Sequence, residues 1–516
     1  MVDGKPLSTE PDLYSRIMAA RGIEPDSLQT SLQDLPDEKL LANIDAVAER
    51  IREAMYNNEP MVIFGHDDPD GVTSTYILYH FLNSCGYQKH AYYIPNRNIE
   101  PHGIQANFIE FVRAGKYSLV VTVDNGISAY GGVEELNALG CDVIITDHHL
   151  IQPEMIPNAY SILNPQLPNC QYPYKQLAGV GVALMLIRYL SRLWEHPLDP
   201  ACYFWAAVGS IADKVPMQGL NRIIVRHVID HFEDVQDQTV QFLLRNYSRV
   251  STPTDIYNFL TYTSRIIANG REAGGYHTAL RFMLQLSDAK ARLFEELERQ
   301  KNLWEGELNR VFSFLDSLCE DFVGNYFVYY DDGDVIPYPL LGTAATYIVN
   351  RLGIPTIMLK HHNDHTVCEG RCAEGFNMVE AFTSCKTHLI QYGGHVKAAG
   401  FTMEPDNYDG FLECFNEYLN SSFDPSPRDE ALSYDTGARL EELSSDTWQN
   451  LEIMLPWGQQ NPEPSLLLNH VKISDLNGQW NLDSGGITHP RDQYMDCIAL
   501  WRAPNQLRIQ KILNLL

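Results

Sequence analysis

The stretch "MVIFGHDDPDGVTS", residues 61–74, decides how the middle of this chain folds. Residues 61–64 are all apolar, and a short continuous apolar run is typical of a strand buried on both faces of a parallel sheet. One imidazole and three carboxylates follow within the next six residues. Crowded carboxylates are unfavourable unless a cation lies among them or water surrounds them. The stretch therefore predicts a buried strand whose carboxyl end is either open to solvent or built to hold positive charge.

Two later apolar runs end in the same way. The run "SLVVTV" (118–123) is followed by Asp124, and "DVIIT" (142–146) is followed by "DHH". Helical stretches separate the runs, and this alternation predicts a doubly wound α/β domain with a parallel sheet. Ligands bind at the carboxyl ends of the strands in such sheets. Asp213, an acid that closes the small-residue apolar segment "AAVGSIAD", is a fourth candidate for the same edge.

These acids and histidines predict a site for divalent cations. Carboxylate oxygens and imidazole nitrogens suit Mn²⁺, Mg²⁺ or a related ion better than a metal that prefers thiolates. Two ions about 3.5–4 Å apart need roughly this many ligands, with one carboxylate bridging them. Each position alone has an ordinary alternative, because an Asp after a strand is usually a cap or turn residue and a His pair usually lies on the surface or in the core. Together they favour a site with two divalent cations, Mn²⁺ or Mg²⁺.

The flanking sequence divides into further segments. Helical periodicity predicts an amphipathic N-terminal segment ahead of the first strand and one long helix after the α/β domain. A second, smaller α/β unit follows the long helix. The Pro/Ser-rich stretch "SSFDPSPRDE" (421–430) is typical of a linker. Short alternating runs with turn residues then predict a small β domain at the end of the chain.

Composition limits the classes of function. The net charge of −28 argues against a protein whose affinity rests on broad neutralisation of a phosphate backbone. No apolar run approaches the roughly 20 residues that span a bilayer, and the polar N-terminus lacks the apolar region of a secretory signal, so we expect no membrane partner. The ten cysteines are scattered without a CxxC pair, which predicts reduced thiols and a cytoplasmic protein.

Four motifs in a fixed order carry a resemblance to a known family. "GHDDPDG", "VDNGIS", "TDHH" and "SIADKVP" resemble the metal-binding motifs of the DHH phosphoesterases, and within them those of the RecJ-like single-strand-specific exonucleases. Similar stretches follow in "SRIIANGREAGGYHTALRFM" (264–283), "EGRCAEGFNMVEAF", "QYGGHVKAAGFTM" and "LPWGQQNPEPSLLL" (455–468). The resemblance thus extends over about residues 60–470.

The resemblance implies a complete architecture. It consists of a doubly wound parallel-sheet DHH domain, joined by a long helix to a smaller α/β DHH-associated domain, with a C-terminal OB-like β domain. We therefore predict an N-terminal helical segment over residues 1–58, a DHH catalytic domain over 59–285, a linker helix over 286–321, a DHH-associated substrate-binding domain over 322–425 and an OB-like domain over 430–516.

The resemblance also assigns roles to residues at the motif positions. The expected metal ligands are His66, Asp68, Asp70, Asp124, His148 and Asp213. The expected catalytic residues are Asp124, His148 and His149, with His149 either a ligand or a close neighbour of the ligands. Bacterial RecJ has an acid where this chain has His66, whereas archaeal relatives often have a histidine there.

A second set of residues is expected to bind substrate phosphates. Its members are Arg97, Arg271, Arg371, Gly393, Gly394 and His395. A guanidinium suits phosphate through paired donors, although a loop arginine without motif context is usually solvated or paired with a carboxylate. The amides of a glycine pair can approach a substrate closely. Glu369 departs from the family pattern, which usually has a small hydroxyl residue beside a terminal phosphate, and a carboxylate there repels phosphate.

The expected function is that of a divalent-metal-dependent exonuclease that hydrolyses single-stranded DNA, 5′→3′, in DNA repair, recombination or replication. We expect DNA rather than RNA as the partner. One alternative is a DHH phosphodiesterase for short oligonucleotides, RNA or cyclic dinucleotides, and another is a non-catalytic replication scaffold. Residues 429–516 carry 12 acids against six Lys or Arg, so the C-terminal domain is also a candidate surface for a protein partner.

Overall fold

The computed structural model describes most of the chain. The described residues are 11–100, 103–151, 156–286, 289–320, 322–362, 364–373, 375–422, 434–472, 481–483 and 493–515. They fall into two compact units, one within Met1–Lys301 and Ser433–Leu516 and the other within Asn302–Leu432. Among these residues, no helix combines the length and the apolar character needed to cross a bilayer.

A five-stranded parallel sheet forms the centre of the first unit. Its strands are β1 (Met61–Phe64), β2 (His90–Tyr93), β3 (Leu119–Val123), β4 (Asp142–Thr146) and β5 (Ser161–Leu163). They run in the order β2-β1-β3-β4-β5, and every neighbouring pair is parallel. All residues of β1 and β3 are buried. The predicted doubly wound parallel sheet is confirmed.

This strand order places a topological switch point between β1 and β3. The chain passes from β1 outward to β2 and then returns to the other side of β1 for β3. The connections that leave β1 and β3 therefore diverge, and a crevice forms outside the carboxyl ends of two such strands. The acidic stretch after β1 and Asp124 after β3 both begin at this crevice.

Helices connect the strands and complete the first unit. They are α1 (Leu13–Ala20), α2 (Ile44–Tyr56), α3 (Pro69–Ser84), α4 (Ala106–Gly115), α5 (Tyr130–Ala138), α6 (Gly179–Leu193), α7 (Pro200–Ala212), α8 (Gly219–Asp230), α9 (Gln238–Arg245), α10 (Pro253–Ile267) and α11 (Thr278–Leu284). Helix α3 begins directly after Asp68, whose side chain accepts a hydrogen bond from the amide of Gly71. Pro69 suits the first helical position because no intrahelical partner awaits an amide there.

Arg50 on α2 ties the N-terminal helices to the opposite edge of the sheet. Its Nε donates to Asp142 Oδ2 at 2.8 Å, and its Nη2 donates to Glu59 Oε2 at 2.7 Å. Asp142 is the first residue of β4, so this ion pair lies at the amino ends of the parallel strands. The Asp142–Arg50 pair is therefore remote from the crevice at their carboxyl ends.

The second unit contains a mixed five-stranded sheet. Its strands are β6 (Phe327–Asp331), β7 (Thr356–His362), β8 (His365–Arg371), β9 (Gln391–His395) and β10 (Ala398–Met403), in the order β6-β7-β8-β10-β9. Only the β6–β7 pair of this sheet is parallel. The remaining helices here are α13 (Leu341–Leu352), α14 (Met378–Ser384) and α15 (Tyr408–Ser422). The long helix α12 (Ala289–Cys319) was predicted, and the boundary between the two units falls within it.

The expectation that all cysteines are reduced is wrong for one pair. Cys385, directly after α14, forms a disulfide with Cys414 on α15. The two residues are 29 positions apart in the sequence, and no local spacing marks them as partners. Both helices pack on the same core of the second unit, which brings the two side chains together.

A third sheet belongs to the first unit and lies near the end of the chain. Its strands are β11 (Thr436–Ala438), β12 (Ser465–Lys472), β13 (Asn481–Asp483), β14 (Tyr494–Ala503) and β15 (Gln506–Leu515). Helix α16 (Ser445–Leu451) lies between β11 and β12 in the sequence. The strand order is β11-β12-β14-β15-β13, and the three long strands are antiparallel. Trp501 on β14 is fully buried against Trp448. Trp501 is therefore a core residue of this sheet.

Candidate metal centre

The crevice between β1 and β3 gathers all seven residues that the sequence predicts for metal binding and catalysis. They form three overlapping groups of potential ligand atoms, each within 4.8 Å: His66, Asp68 and Asp124; Asp70, His148 and Asp213; and Asp124, His148 and His149. Asp124 and His148 each belong to two groups. The carboxylate of Asp124 can bridge two adjacent cations, whereas the single nitrogen that His148 offers can bind one of them.

Distances within the cluster are short enough for common ligation. His66 Nδ1 lies 2.9 Å from Asp68 Oδ2 and 3.8 Å from Asp124 Oδ2. His148 Nε2 lies 3.1 Å from Asp124 Oδ1, 3.9 Å from Asp213 Oδ2 and 4.0 Å from Asp70 Oδ2. Although buried, His148 Nε2 makes no hydrogen bond of normal geometry among the described residues. A nitrogen surrounded by three carboxylates in this way is well placed to bind a cation.

Burial and mutual repulsion make the acids hard to ionise together. Asp124 is 2% exposed, and burial with the neighbouring charges of Asp70 and Asp68 raises its pKa well above the ordinary value. Burial and the same two acids raise the pKa of Asp213 to about 8. Two bound cations would offset this repulsion, because an opposite charge within about 4–6 Å favours the ionised carboxyl group. The donor set and its electrostatics therefore fit a pair of divalent ions.

Asp68 differs from the other acids of the cluster. Burial alone would raise its pKa, but the hydrogen bonds from His66 and from the amide of Gly71 outweigh burial and hold the pKa of Asp68 below its usual range.

Asp124 has a left-handed backbone, with φ of 59°, a conformation that is costly for a residue with a side chain and that is found often at functional sites. The strained backbone of Asp124 thus aims its carboxylate into the crevice.

Asp70 is held in the crevice by the start of α6. Its two carboxylate oxygens each accept a backbone hydrogen bond at 2.7 Å, from Gly179 and Val180. The positive end of the helix dipole favours a carboxylate there. A Cβ built on Gly179 would lie 2.4 Å from Asp124 Oδ1, and one on Gly209 would lie 2.3 Å from Thr73 Oγ1. Glycine at position 179 therefore leaves room for the carboxylate of Asp124, and Gly209 allows close packing against α3.

Asp213 reaches the centre from a helix. It directly follows α7, whereas the sequence suggested an acid at the same strand edge. Its carboxylate nevertheless lies in the group with Asp70 and His148. Helices α3, α6 and α7 pack together, which brings the end of α7 to the crevice.

Asp147 is a functional candidate to which the motif pattern assigned no role. It is 1% exposed and accepts hydrogen bonds from the amide of Ile127 at 2.9 Å and from the amide of His148 at 2.7 Å. Its Oδ1 also lies 2.7 Å from Nδ1 of His149. This hydrogen bond raises the pKa of His149 to about 9. Asp147 therefore orients both histidines without belonging to a ligand group, and only its place at the end of β4 hinted at this.

Two of the predicted phosphate-binding arginines meet beside the cluster. Arg97 follows β2 and Arg271 follows α10, and both donate to the buried carboxylate of Asp67. Burial alone would raise the pKa of Asp67, but the two guanidinium groups lower it to about 2. The sequence alone gave Asp67 no role. The motif "HDDPD" contains three acids, and their spacing does not show which of them binds a metal and which pairs with an arginine.

The other predicted phosphate-binding residues belong to the second unit. Arg371 ends β8, and its Nη1 donates to Glu369 Oε2 at 2.8 Å. Gly393, Gly394 and His395 end β9, and the side chain of His395 lies outside the described part. Gly394 has φ of 136°, and a Cβ there would lie 2.4 Å from the carbonyl oxygen of Ala398. The backbone conformation at position 394 and its close approach to β10 therefore require glycine.

Comparison with known proteins identifies similar chains. Residues 60–209 match the family model described as "DHH family, N-terminal domain". The single-stranded-DNA-specific exonuclease RecJ of Escherichia coli K12 is 28% identical over 490 residues, which are 90% of this chain and 84% of that protein. RecJ of Bacillus subtilis 168 is 27% identical over 87% of this chain. The match spans only 57% of the length of the Bacillus protein.

Solved structures share the fold. The crystal structure of RecJ in complex with Mn²⁺ from Thermus thermophilus matches 97% of this chain and 76% of its own, with a TM-score of 0.75 and 22% identity. A crystal structure of exonuclease RecJ bound to manganese matches 77% of this chain and 99% of its own, with a TM-score of 0.63 and 25% identity. The α/β architecture predicted from the motifs is confirmed.

Proposed function

We propose that this chain, whose residues 60–209 are a DHH-family N-terminal domain and which is RecJ-like over most of its length, is a divalent-metal-dependent exonuclease acting on single-stranded DNA. The observation that carries the proposal is the set of overlapping ligand groups that share Asp124 and His148. Their place at the switch point of a parallel sheet is where such folds bind ligands. Relatives that match most of this chain are named as exonucleases specific for single-stranded DNA.

The residues divide into holders of the two cations. Asp124 would be shared by the two cations, with His66 and Asp68 as further ligands of one and Asp70, His148 and Asp213 as further ligands of the other. Bound there, two Mn²⁺ or Mg²⁺ ions supply Lewis acid activation of the phosphodiester and of the attacking water. The surrounding side chains fix the geometry before substrate arrives, which is how a protein lowers the barrier to phosphoryl transfer.

His149 is the candidate proton donor. Asp147 accepts from its Nδ1, so Nε2 is the ring nitrogen available to substrate, and the side chain is 56% exposed at the cluster. A protonated imidazole at Nε2 can pass a proton to the departing 3′ oxygen. We propose that Arg97 and Arg271 bind adjacent substrate phosphates, and we propose the same role for Arg371, Gly393, Gly394 and His395.

We propose 5′→3′ degradation, a cytoplasmic location, and roles in DNA repair, recombination or replication. The five-part domain division predicted from the sequence is also a proposal, as is a protein partner for the acidic C-terminal domain. Single-stranded DNA is the substrate we propose in preference to RNA, because the names of the relatives specify it.

One observation favours a second candidate. The ion pair between Arg371 and Glu369 places a carboxylate on a guanidinium that we assign to substrate phosphate. A site of reduced positive charge suits short oligonucleotides or cyclic dinucleotides, which need fewer phosphate contacts than a long strand. A non-catalytic scaffold would need no converging ligands, so the intact cluster argues against it.

A cleavage assay tests the proposal. Purified protein with Mn²⁺ would be given a 30-nucleotide single strand labelled at either end, as DNA and as RNA, beside a five-nucleotide DNA. We expect stepwise loss from the 5′ end of the long DNA, abolished in Asp124→Asn and unchanged in the remote control Asp142→Asn. Cleavage of the five-mer alone would favour the second candidate. No cleavage of any of these substrates would contradict the proposed exonuclease activity.

A further inference from the structure

Asp67 is a buried carboxylate beside the metal centre that belongs to none of the ligand groups. It is 1% exposed, and its charge is met entirely by arginine. Oδ1 accepts from Nε and Nη2 of Arg97, and Oδ2 accepts from Nε of Arg271 at 2.7 Å and from the amide of Arg97 at 3.0 Å. The two guanidinium groups come from separate parts of the first unit and converge on this one carboxylate.

The carboxylate of Asp67 offsets the repulsion between the guanidinium groups of Arg97 and Arg271. Two guanidinium groups held close together repel each other, and burial makes that repulsion larger because the local dielectric is low. A carboxylate between them offsets the repulsion, and charge-assisted hydrogen bonds fix the orientation of each planar group. The resulting cluster carries one net positive charge next to a site for a phosphodiester.

Both arginines keep donors for an anion. Within the part of the chain that the structure describes, Arg97 Nη1 and Arg271 Nη2 donate no hydrogen bond. The Arg97 side chain is 33% exposed and that of Arg271 is 24% exposed. Asp67 thus occupies one edge of each guanidinium and leaves the other donors for solvent or a phosphate.

Asp67 also keeps Arg97 out of the metal centre. Arg97 Nη2 lies 4.0 Å from Asp68 Oδ2, an oxygen that we assign to a cation. The bonds to Asp67 hold the guanidinium at this distance, so its remaining donors face away from the ligand set. Asp67 therefore separates the phosphate-binding charge from the ligand set.

We propose that Asp67 is a positioning residue that joins Arg97 and Arg271 into one phosphate-binding clamp for single-stranded nucleic acid. The inference rests on the proposed function, because the clamp has a role only if a phosphodiester strand reaches the metal centre. Asp67 touches neither substrate nor cation and acts through the two arginines.

Steady-state kinetics with Mn²⁺ and a 30-nucleotide single-stranded DNA test the clamp. We expect Asp67→Asn to raise KM about tenfold or more, because the charge-assisted bonds that orient the arginines are loosened, while kcat changes by less than about threefold. The slope of log(kcat/KM) against log salt should fall by about 0.7 for each phosphate that the protein no longer binds. A purely structural defect would lower the active fraction without changing that slope.

Matched variants make the test specific. Asp142→Asn also removes a carboxylate from an arginine, Arg50, but at the amino ends of the strands, so we expect wild-type KM and salt slope. Arg97→Gln and Arg271→Gln should each raise KM, and the double variant should fall well short of the product of the two effects because both changes disable one clamp. This cycle tests the clamp even if Asp67→Asn does not fold.

The outcomes separate the two proposals. Suppose that the wild-type protein cleaves single-stranded DNA. Additive effects of Arg97→Gln and Arg271→Gln would then overturn the clamp alone, and so would an unchanged KM and salt slope in folded Asp67→Asn. A wild-type protein that neither binds nor cleaves single-stranded DNA would overturn the proposed function and the clamp with it. Retained Mn²⁺ binding in Asp67→Asn would show that the ligand set is intact, and its loss would mean that Asp67 acts on the metals instead.

Discussion

At the scale of single residues, the structure separates side chains that are grouped as potential cation ligands from side chains that orient other side chains. The seven residues that the motif positions predicted as ligands or catalytic residues lie close together, because three strands that end in acids or histidines converge at one sheet edge and the end of α7 meets them there. Asp67 and Asp147 were missed as functional candidates. Both lie in the same motifs, but their partners, Arg97, Arg271 and His149, are fixed by tertiary packing and leave no mark on local spacing.

Gly179→Ala should disable the metal centre through a single methyl group. The new Cβ would lie 2.4 Å from Asp124 Oδ1, so the shared carboxylate must move. A displacement of about 1 Å at a reacting site can reduce the rate about 100-fold, and we expect a fall in kcat of that order with weaker Mn²⁺ binding. The measurement is kcat together with Mn²⁺ affinity.

Gly131→Ala is the matched control for that variant. Gly131 lies on α5, and a Cβ there would meet nothing within 4 Å. Alanine within a helix is favoured over glycine by roughly 0.5–1 kcal/mol, so stability should rise slightly and kcat should not change. Equal loss of activity in both variants would contradict the steric explanation.

Glu369→Gln should improve the use of ends that carry a phosphate. The change removes the carboxylate that pairs with Arg371 at 2.8 Å. Ion pairs that solvent can reach, such as this half-buried one, are worth about 0–1 kcal/mol, so we expect a two- to fivefold gain for 5′-phosphorylated over 5′-hydroxyl DNA. The measurement is kcat/KM for the two substrates, with the exposed Glu413→Gln as control. No shift in preference would show that Arg371 does not meet the terminal phosphate.

At the scale of elements, sequence periodicity located the central strands well and the edge strands poorly. The runs at 61–64, 118–123 and 142–146 became β1, β3 and β4 with nearly the same limits. The edge strands β2 and β5 were not predicted. β2 consists of His90, Ala91 and two tyrosines, and its middle residues are half-buried, while β5 has three residues. Strands that are short or only partly buried carry no continuous apolar run.

His90 at the start of β2 should make stability depend on pH. Burial lowers the pKa of His90 to about 4, from about 6.5 in an unfolded chain. The unfolded state therefore binds the proton more readily, and stability falls as pH drops from about 6.5 to about 4. The loss is about 1.4 kcal/mol per pH unit across that window.

His90→Phe should remove much of this pH dependence. The His90 ring packs against Tyr79 and Tyr87, with centroids 4.3 and 5.5 Å apart, and phenylalanine preserves that contact. We expect the variant to lose about 2–3 kcal/mol less stability than wild type between pH 6.5 and 4.5, measured by urea unfolding. The exposed His231→Phe is the control. Equal pH dependence in wild type and His90→Phe would contradict a buried neutral His90.

Lys360 on β7 should be required for the second unit to remain folded. Its Nζ donates to the buried Asp331 at 2.9 Å, and Asp331 also accepts from the amides of Val335 and Ile336. Lys360→Met would leave a buried carboxylate without its counter-charge, which costs about 3–5 kcal/mol. Thermal unfolding should show an early transition, absent in the exposed Lys89→Met. Asp331→Asn in addition should restore part of the loss.

At the scale of the whole molecule, the ordered motifs predicted the architecture, because four motifs in sequence constrain a fold far more than any one of them. The Cys385–Cys414 disulfide was not foreseen, since it depends on how α14 and α15 pack. Asp213 was placed at the correct site for an incomplete reason, because it reaches the crevice from the end of α7 rather than from a strand. Packing between helices supplied what sequence periodicity could not.

The number of Mn²⁺ ions bound per chain tests the two-metal account most directly. Equilibrium dialysis of the full chain with metal analysis should give two Mn²⁺ per wild-type chain, and Asp124→Ala should lose at least one, because Asp124 is shared between ligand groups. Asp142→Asn should retain both ions. Binding of one ion or none by wild-type protein under conditions where it degrades single-stranded DNA would contradict the account.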